Sequence, residues 1–248
     1  MPRGQGGSIR FAVRRHSRGH HIALVTTLCV GRRLSVTKGT DDMIKIVLVH
    51  DGNLPFAGIA EASYASYARR WGYAYESIRT QPGQGHPSWQ KLACLVDQLR
   101  YGGLSAPQHW LLYVDTDSMV TNPTIALERF VDPYYDVIVS QDWDDNSPWS
   151  AGVMLLQRTR DTDAFLSVAR TLTKWKETPP WDQAALHTVW GKQMTGCRVK
   201  VLPRRQLQSV PAGGGAFDPW QPGDFIAHVT GVANDHRHEW MRNFAERN

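Results

Sequence analysis

The sequence predicts an α/β fold in which a mostly parallel central sheet is covered by helices. Three observations predict it. Short continuous apolar runs rich in Val, Ile and Leu recur along the chain, as strands buried on both faces require. Between them lie stretches whose apolar side chains fall at three- and four-residue steps, the spacing of amphipathic helices. Gly, Pro and Asp clusters separate the two kinds of segment. Strands alternating with helices in this way build parallel sheets, and such sheets bind ligands in the crevice beyond the carboxyl ends of their strands.

Ile44–His50 is the first such run, and Asp51, Gly52 and Asn53 stop it. Ala60, Tyr64, Tyr67, Ala68 and Trp71 then mark one face of a helix over Ile59–Trp71, which Gly72 ends before a second strand at Tyr73–Ile78. A polar loop, Gln81–His86, leads to a helix whose apolar face is Leu92, Leu95, Val96 and Leu99, terminated by Gly102 and Gly103. Trp110–Val114 is the next buried strand, with Asp115 and Asp117 at its carboxyl end. Strands follow at Val137–Ser140 and Ala151–Leu156, then a helix through Phe165, Val168, Ala169, Leu172 and Trp175. Beyond these come a helix from Trp181, a strand near Val199–Leu202, a Gly-rich loop at Pro211–Phe217, the segment Phe225–His228 and a charged terminal helix from about His236.

Charge divides the chain. Residues 1–42 hold eight Arg and Lys against Asp41 and Asp42, a net +6, so the remainder carries −1 of the total +5. The basic character belongs to that leader, which is expected to be irregular or outside the fold, with the domain over 43–248. Ile22–Leu28 is the one stretch of the leader that also reads as a strand. A nucleic-acid partner would need a basic face on the folded part, and with the positive charge placed in the leader none is expected. Cys29, Cys94 and Cys197 are too scattered for a disulfide framework or a zinc site. The apolar stretch Ile22–Val30 falls far short of the ~20 residues of a membrane span. A cytoplasmic protein of bacterial or viral type is the expectation.

Two carboxylates two residues apart, where a strand breaks into a turn, converge on one hard cation. Mn²⁺ and Mg²⁺ prefer oxygen ligands and are commonly shared between carboxylates and substrate phosphates. The same Asp-x-Asp string also fits a haloacid-dehalogenase-like phosphatase with Asp115 as nucleophile and Asp142–Asp145 as its later acidic motif. That nucleophile usually stands near the start of the chain, and here two strand–helix units precede it. Alternatively, Asp142, Asp144 and Asp145 form a solvated loop, and Gly213–Gly215 a linker or a lid. Ten Trp residues, among them Trp89, Trp110, Trp143, Trp149, Trp181 and Trp220 beside polar motifs, suit either the core or sugar-stacking walls.

Four segments around the Asp pair carry a family resemblance. Ser88–Lys91, Trp149–Leu156, Trp181–Leu186 and Phe225–Gly231 resemble, in order and spacing, glycosyltransferase family thirty-four, which includes fungal α-galactosyl- and α-mannosyltransferases and plant xyloglucan α-xylosyltransferases. Tyr67–Tyr73 is similar to a further stretch of that family. The resemblance covers roughly residues 43–235. It implies a GT-A fold and a retaining transfer of a hexose or pentose from a nucleoside-diphosphate sugar to a carbohydrate hydroxyl. By the same resemblance Asp115, Asp117 and His228 would hold Mn²⁺ or Mg²⁺, Lys91 would contact the donor, and Gly231 would admit the diphosphate. Ser150, Ala151 and Gly152 would line the donor sugar, with Asp182 and Gln183 beside the reacting carbon. The chain departs from the family at Ser150, where Asn is common, and at Val232, where Cys is usual. A membrane anchor of the kind found in the eukaryotic members is not expected here. A catalytically inactive sugar- or nucleotide-binding module is the non-enzymatic alternative.

Overall fold

A computed structural model describes residues 31–32, 44–80, 86–101, 110–143, 147–211 and 218–247. The proposed strand at Ile22–Leu28, the glycines at 102–103 and 213–215, and Asp144 and Asp145 lie outside these residues. Among those described, no helix is long and apolar enough to cross a membrane.

The described residues form nine strands and five α-helices, in order: β1 (Gly31–Arg32), β2 (Ile44–His50), α1 (Ala57–Trp71), β3 (Ala74–Arg79), α2 (Pro87–Tyr101), β4 (Trp110–Val114), β5 (Ser118–Val120), β6 (Val137–Ser140), β7 (Val153–Gln157), α3 (Arg160–Thr171), α4 (Trp181–Gly191), β8 (Val199–Leu202), β9 (Ile226–His228) and α5 (Asn234–Arg247). Seven strands form the main sheet in the order β1-β3-β2-β4-β7-β6-β8, and β5 pairs with β9 in a second, two-stranded sheet. Within the stretch expected to lie outside the domain, Gly31 and Arg32 add antiparallel to the edge of β3.

Side-chain alternation along β2 sorts the core into two layers. Ile44, Ile46 and Leu48 join a cluster with Tyr64 and Tyr67 of α1 and Phe244 of α5. Val47 and Val49 face the other way, with Leu92 and Leu95 of α2 and Phe165 of α3. Ile46 and Leu48 are wholly buried, and truncating either to Ala would cost about 2–5 kcal/mol. The continuous apolar reading of this strand follows from that two-sided burial.

Strand direction departs from the expectation of a mostly parallel sheet. β2 runs parallel to β3 and β4, and β6 runs parallel to β8. β7 lies antiparallel to both β4 and β6. The cause is the connection from β6 to β7: its described residues, 141–143 and 147–152, hold no helix, and a parallel return needs a long crossover. β2, β3 and β4, joined through α1 and α2, all run the same way. The third predicted helix is also shorter than expected. It ends at Thr171, and Thr173–Trp175 form a separate 3₁₀ turn after Leu172 leaves helical geometry at ψ 57°.

One edge of the sheet thereby gathers the carboxyl ends of β2, β4 and β6 with the amino end of β7. Asp115 N–H extends the β4–β7 ladder by donating to Gly152 O at 2.7 Å. A cleft of about 500 Å³ opens on this edge.

Candidate active site

Asp115 is the first residue past β4 and Asp117 the last before β5. The two-stranded sheet brings a distant partner to them. Ser118 pairs with His228 across β5 and β9, and Val229 N–H donates to Asp117 O at 2.7 Å. One ligand atom from each of Asp115, Asp117 and His228 therefore lies within 4.8 Å of the others. His228 Nε2 stands 3.2 Å from Asp117 Oδ1 and 3.9 Å from Asp115 Oδ2. Burial drives the His228 pKa down, but Asp117 and Asp115 outweigh it and the net shift is upward. Asp117 is held below the usual carboxylate range: burial works against this, and His228 and Arg237 prevail.

These residues fit a divalent cation. His228 is 3% exposed, yet neither ring nitrogen makes a hydrogen bond. Buried polar atoms are normally paired, so an imidazole left open beside two carboxylates has the donor set of a cation site. The 3.2 Å spacing between His228 Nε2 and Asp117 Oδ1 also suits neighbouring ligands at ~2.1 Å from one ion. Gly152 makes room for the ring. A Cβ there would sit 2.1 Å from His228 Cε1, so no larger residue fits while His228 stays. Ser118 Oγ donates to Asp115 O at 2.6 Å and contacts Tyr64 OH at 2.7 Å, fixing the turn between the two Asp residues.

Lys91, from the first turns of α2, is 2% exposed. Its ammonium lies 2.7 Å from Asp182 Oδ2, 3.3 Å from Asp115 Oδ1 and 3.1 Å from Ala151 O. Burial depresses its pKa, and Asp115 and Asp182 more than reverse that. Burial pushes the Asp182 carboxyl up to about 6, Lys91 holding it below what burial alone would give. Tyr113 OH donates to Asp115 Oδ1.

Ser150, Ala151, Gly152, Asp182 and Gln183 all line the cleft. Gln183 is tied at both ends: its Oε1 accepts from Ala151 N–H at 2.9 Å, and its Nε2 donates to Asp142 Oδ2 at 2.8 Å. Gly231 adopts a left-handed φ of 75°, and a Cβ there would meet Trp143 at 3.4 Å.

Asp142 corrects the reading of a solvated acidic loop. It is 3% exposed, lines the cleft, and accepts from Trp143 N–H at 2.8 Å as well as from Gln183. Asp142 is the second residue past β6, at the same end of the sheet as Asp115 past β4. Trp149, which read equally well as core or sugar-facing, is core: it is fully buried and edge-on to His187 and Trp190. Trp181 instead lines the cleft, stacked on His86 with centroids 3.9 Å apart. Arg237, unremarked in the sequence, reaches Asp117 Oδ2 at 3.4 Å from α5.

No protein-family model matches the chain, and no curated protein matches it at a significant level. Solved structures do match. A glycosyltransferase involved in glycosylation of the major capsid of PBCV-1 superposes with a TM-score of 0.66 at 19% identity, covering 81% of this chain and 98% of that one. The galactosyltransferase LgtC, in complex with donor and acceptor sugar analogues, gives 0.51 at 14% identity, covering 82% and 95%. The glycosyltransferase GlyE of Streptococcus pneumoniae TIGR4 gives 0.52 at 12% identity, and this chain covers 60% of its length. The fold is that of the GT-A glycosyltransferases.

Proposed function

We propose that the protein is a metal-dependent, retaining glycosyltransferase that moves a hexose or pentose from a nucleoside-diphosphate sugar to a carbohydrate hydroxyl. One observation carries this reading: Asp115, Asp117 and the unpartnered His228 converge at the strand-end edge of a glycosyltransferase fold. Asp115, Asp117 and His228 would hold the cation, Mn²⁺ or Mg²⁺. When bound, it supplies positive charge to offset the charge that develops on a departing diphosphate.

The chain's own residues support a same-face displacement. The bond from the anomeric carbon to the diphosphate breaks, the acceptor oxygen bonds to that carbon, and the acceptor proton passes to the departing phosphate oxygen. Gln183 Oε1 retains one lone pair after accepting from Ala151 N–H, and this oxygen is preset to face positive charge at the sugar ring. Asp142 orients that amide from behind. Asp182, neutralised by Lys91, stands beside it as a polar wall rather than a free base. Ser150, Ala151 and Gly152 would line the donor sugar, and Gly231 would give backbone access to the phosphates. The motif resemblance further favours family thirty-four within this superfamily.

The phosphatase alternative loses its second motif, because Asp142 is bound to Gln183. Phosphate release from simple phosphomonoesters would restore it, whereas an inactive module would turn over no donor at all. The test is a panel of nucleotide sugars with Mn²⁺ or chelator, followed by proton NMR of the product. Cation-dependent turnover and an α-linkage from an α-configured donor are expected. A β-linkage would overturn the retaining reading.

A further inference from the structure

Of the described residues that line the cleft, only Lys91 and Arg237 carry a fixed positive charge. The two are placed very differently. The Lys91 ammonium donates to Asp115 and to Ala151 O and lies 2.7 Å from Asp182 Oδ2. Its charge faces two carboxylates, the buried Asp182 and the partly exposed Asp115. Arg237 has five donors in a planar fork. Nη1 reaches Asp117 Oδ2 at 3.4 Å and Asn234 Oδ1 at 3.4 Å, both at the long end of hydrogen bonding. Its Nε is buried without a partner, while the side chain as a whole is 26% exposed.

The wall around Arg237 suits an anion. Thr230 and Asn234 line the same part of the cleft, where the chain turns through Gly231 into α5, a helix of 14 residues. The first turn of such a helix presents unpaired N–H groups and the positive end of its dipole. His228 lines the same cleft but faces Asp117 at 3.2 Å and belongs to the cation set, which leaves Arg237 as the group here that can turn to an anion.

We propose that Arg237 grips the phosphates of the donor, its guanidinium leaving Asp117 for a phosphate once a divalent cation has taken over the Asp117 charge. Arg237 and the cation therefore compete for one carboxylate, and binding is ordered: cation first, then nucleotide. A guanidinium fork matches two phosphate oxygens at once, which the Lys91 ammonium, enclosed by two carboxylates, does not. This rests on the transferase reading above and assigns the phosphates of that substrate to a residue outside the recognised motifs.

The experiment is calorimetric titration of wild type, Arg237→Gln and Arg237→Lys. Each is titrated first with Mn²⁺ alone, then with uridine, guanosine, adenosine and cytidine diphosphates in Mn²⁺. Arg237→Gln should bind Mn²⁺ alone as well as wild type or more tightly. It should bind the preferred nucleoside diphosphate about 10–100-fold more weakly, the loss of a charge-assisted pair. Arg237→Lys, which keeps the charge without the fork, should fall between and guards against a folding defect in the Gln variant. Equal diphosphate affinity in wild type and Arg237→Gln, or loss of Mn²⁺ binding in that variant, would overturn the proposal. A wild type that binds none of the four diphosphates would instead overturn the transferase reading itself.

Discussion

Asp136 lies just before β6 and Asp115 just after β4, at opposite edges of the same sheet. Asp136 is 1% exposed and saturated. Its Oδ1 accepts from Thr159 Oγ1 at 2.9 Å, and its Oδ2 accepts from Arg198 N–H at 2.9 Å and Arg198 Nε at 3.1 Å. Thr159 caps α3, and Arg198 immediately precedes β8. One carboxylate thus joins β6, α3 and β8. At the other edge Asp115 and Asp117 crowd together with a buried imidazole that has no hydrogen bond. The difference separates two uses of buried charge. Where both carboxylate oxygens have donors the group is a joint, and where charges converge with a partner missing the group is a site.

Exchanging one acid at each edge should break protein function in opposite ways. Asp117→Asn should lower cation-dependent turnover by about a thousandfold, several kcal/mol of lost charge stabilisation. Its melting temperature in chelator should stay within about 2–4 °C of wild type, the shift of ~1 kcal/mol. Asp136→Asn should keep its turnover per folded molecule. It places two N–H donors among donors and should lose about 1–3 kcal/mol, roughly 2–12 °C in melting. Melting curves in chelator and initial rates measured on both variants decide the comparison. A fall in turnover for both, or in melting for both, would erase it.

Glycine offers a second contrast at the site edge. Gly152→Ala should displace His228 and weaken Mn²⁺ binding about 10–100-fold, as loss of support around a ligand does. Gly58, inside α1, has nothing within 4 Å of a built Cβ. Gly58→Ala should leave Mn²⁺ binding unchanged and raise stability by about 0.4–1 kcal/mol. Manganese titration of the two side by side is the measurement, and matching affinities would show that His228 tolerates the methyl group.

The two edges were unequally legible in the sequence. Asp115 and Asp117 stand at the end of a continuous apolar run, a local signal. The strands and helices around them followed from periodicity alone, because packing on both faces of β2 writes itself into consecutive residues. His228 needed the motif resemblance, since its approach depends on β5 pairing with β9 across more than a hundred residues. Asp136 gave no sign: its partners Thr159 and Arg198 lie 23 and 62 residues away. Asp142 shows a subtler limit. It stood where a strand-end residue should, but neighbouring acids made it look solvated, and only Gln183 on α4 reveals it as buried. The direction of β7 was hidden likewise, because it depends on its pairing with β4 and β6 and not on its own residues.

The smallest expected effect is the most discriminating, because the two edges should respond to pH with different windows. The Asp136 pKa is depressed: burial alone would raise it, but the Arg198 and Thr159 hydrogen bonds more than compensate. A depressed carboxylate stabilises the fold above its unfolded pKa, about 4, and that contribution vanishes as pH falls through the lower folded value. Its partner Arg198 stays charged throughout, so nothing is lost on the alkaline side. The Asp117–His228 pair is bounded on both sides. Asp117 is depressed, so its share goes in acid; His228 is raised, so its share is complete below about 6.5 and is lost as pH rises through the folded value. In chelator, the stability gap between wild type and Asp136→Asn should hold constant from about pH 5 to 9 and close below about 4. The gap between wild type and His228→Gln should be largest below the ordinary His pKa of about 6.5 and shrink as pH rises through the raised folded value. Urea melts at five pH values would resolve both. Parallel gaps across the whole range would mean that His228 is neutral and held by something other than Asp117.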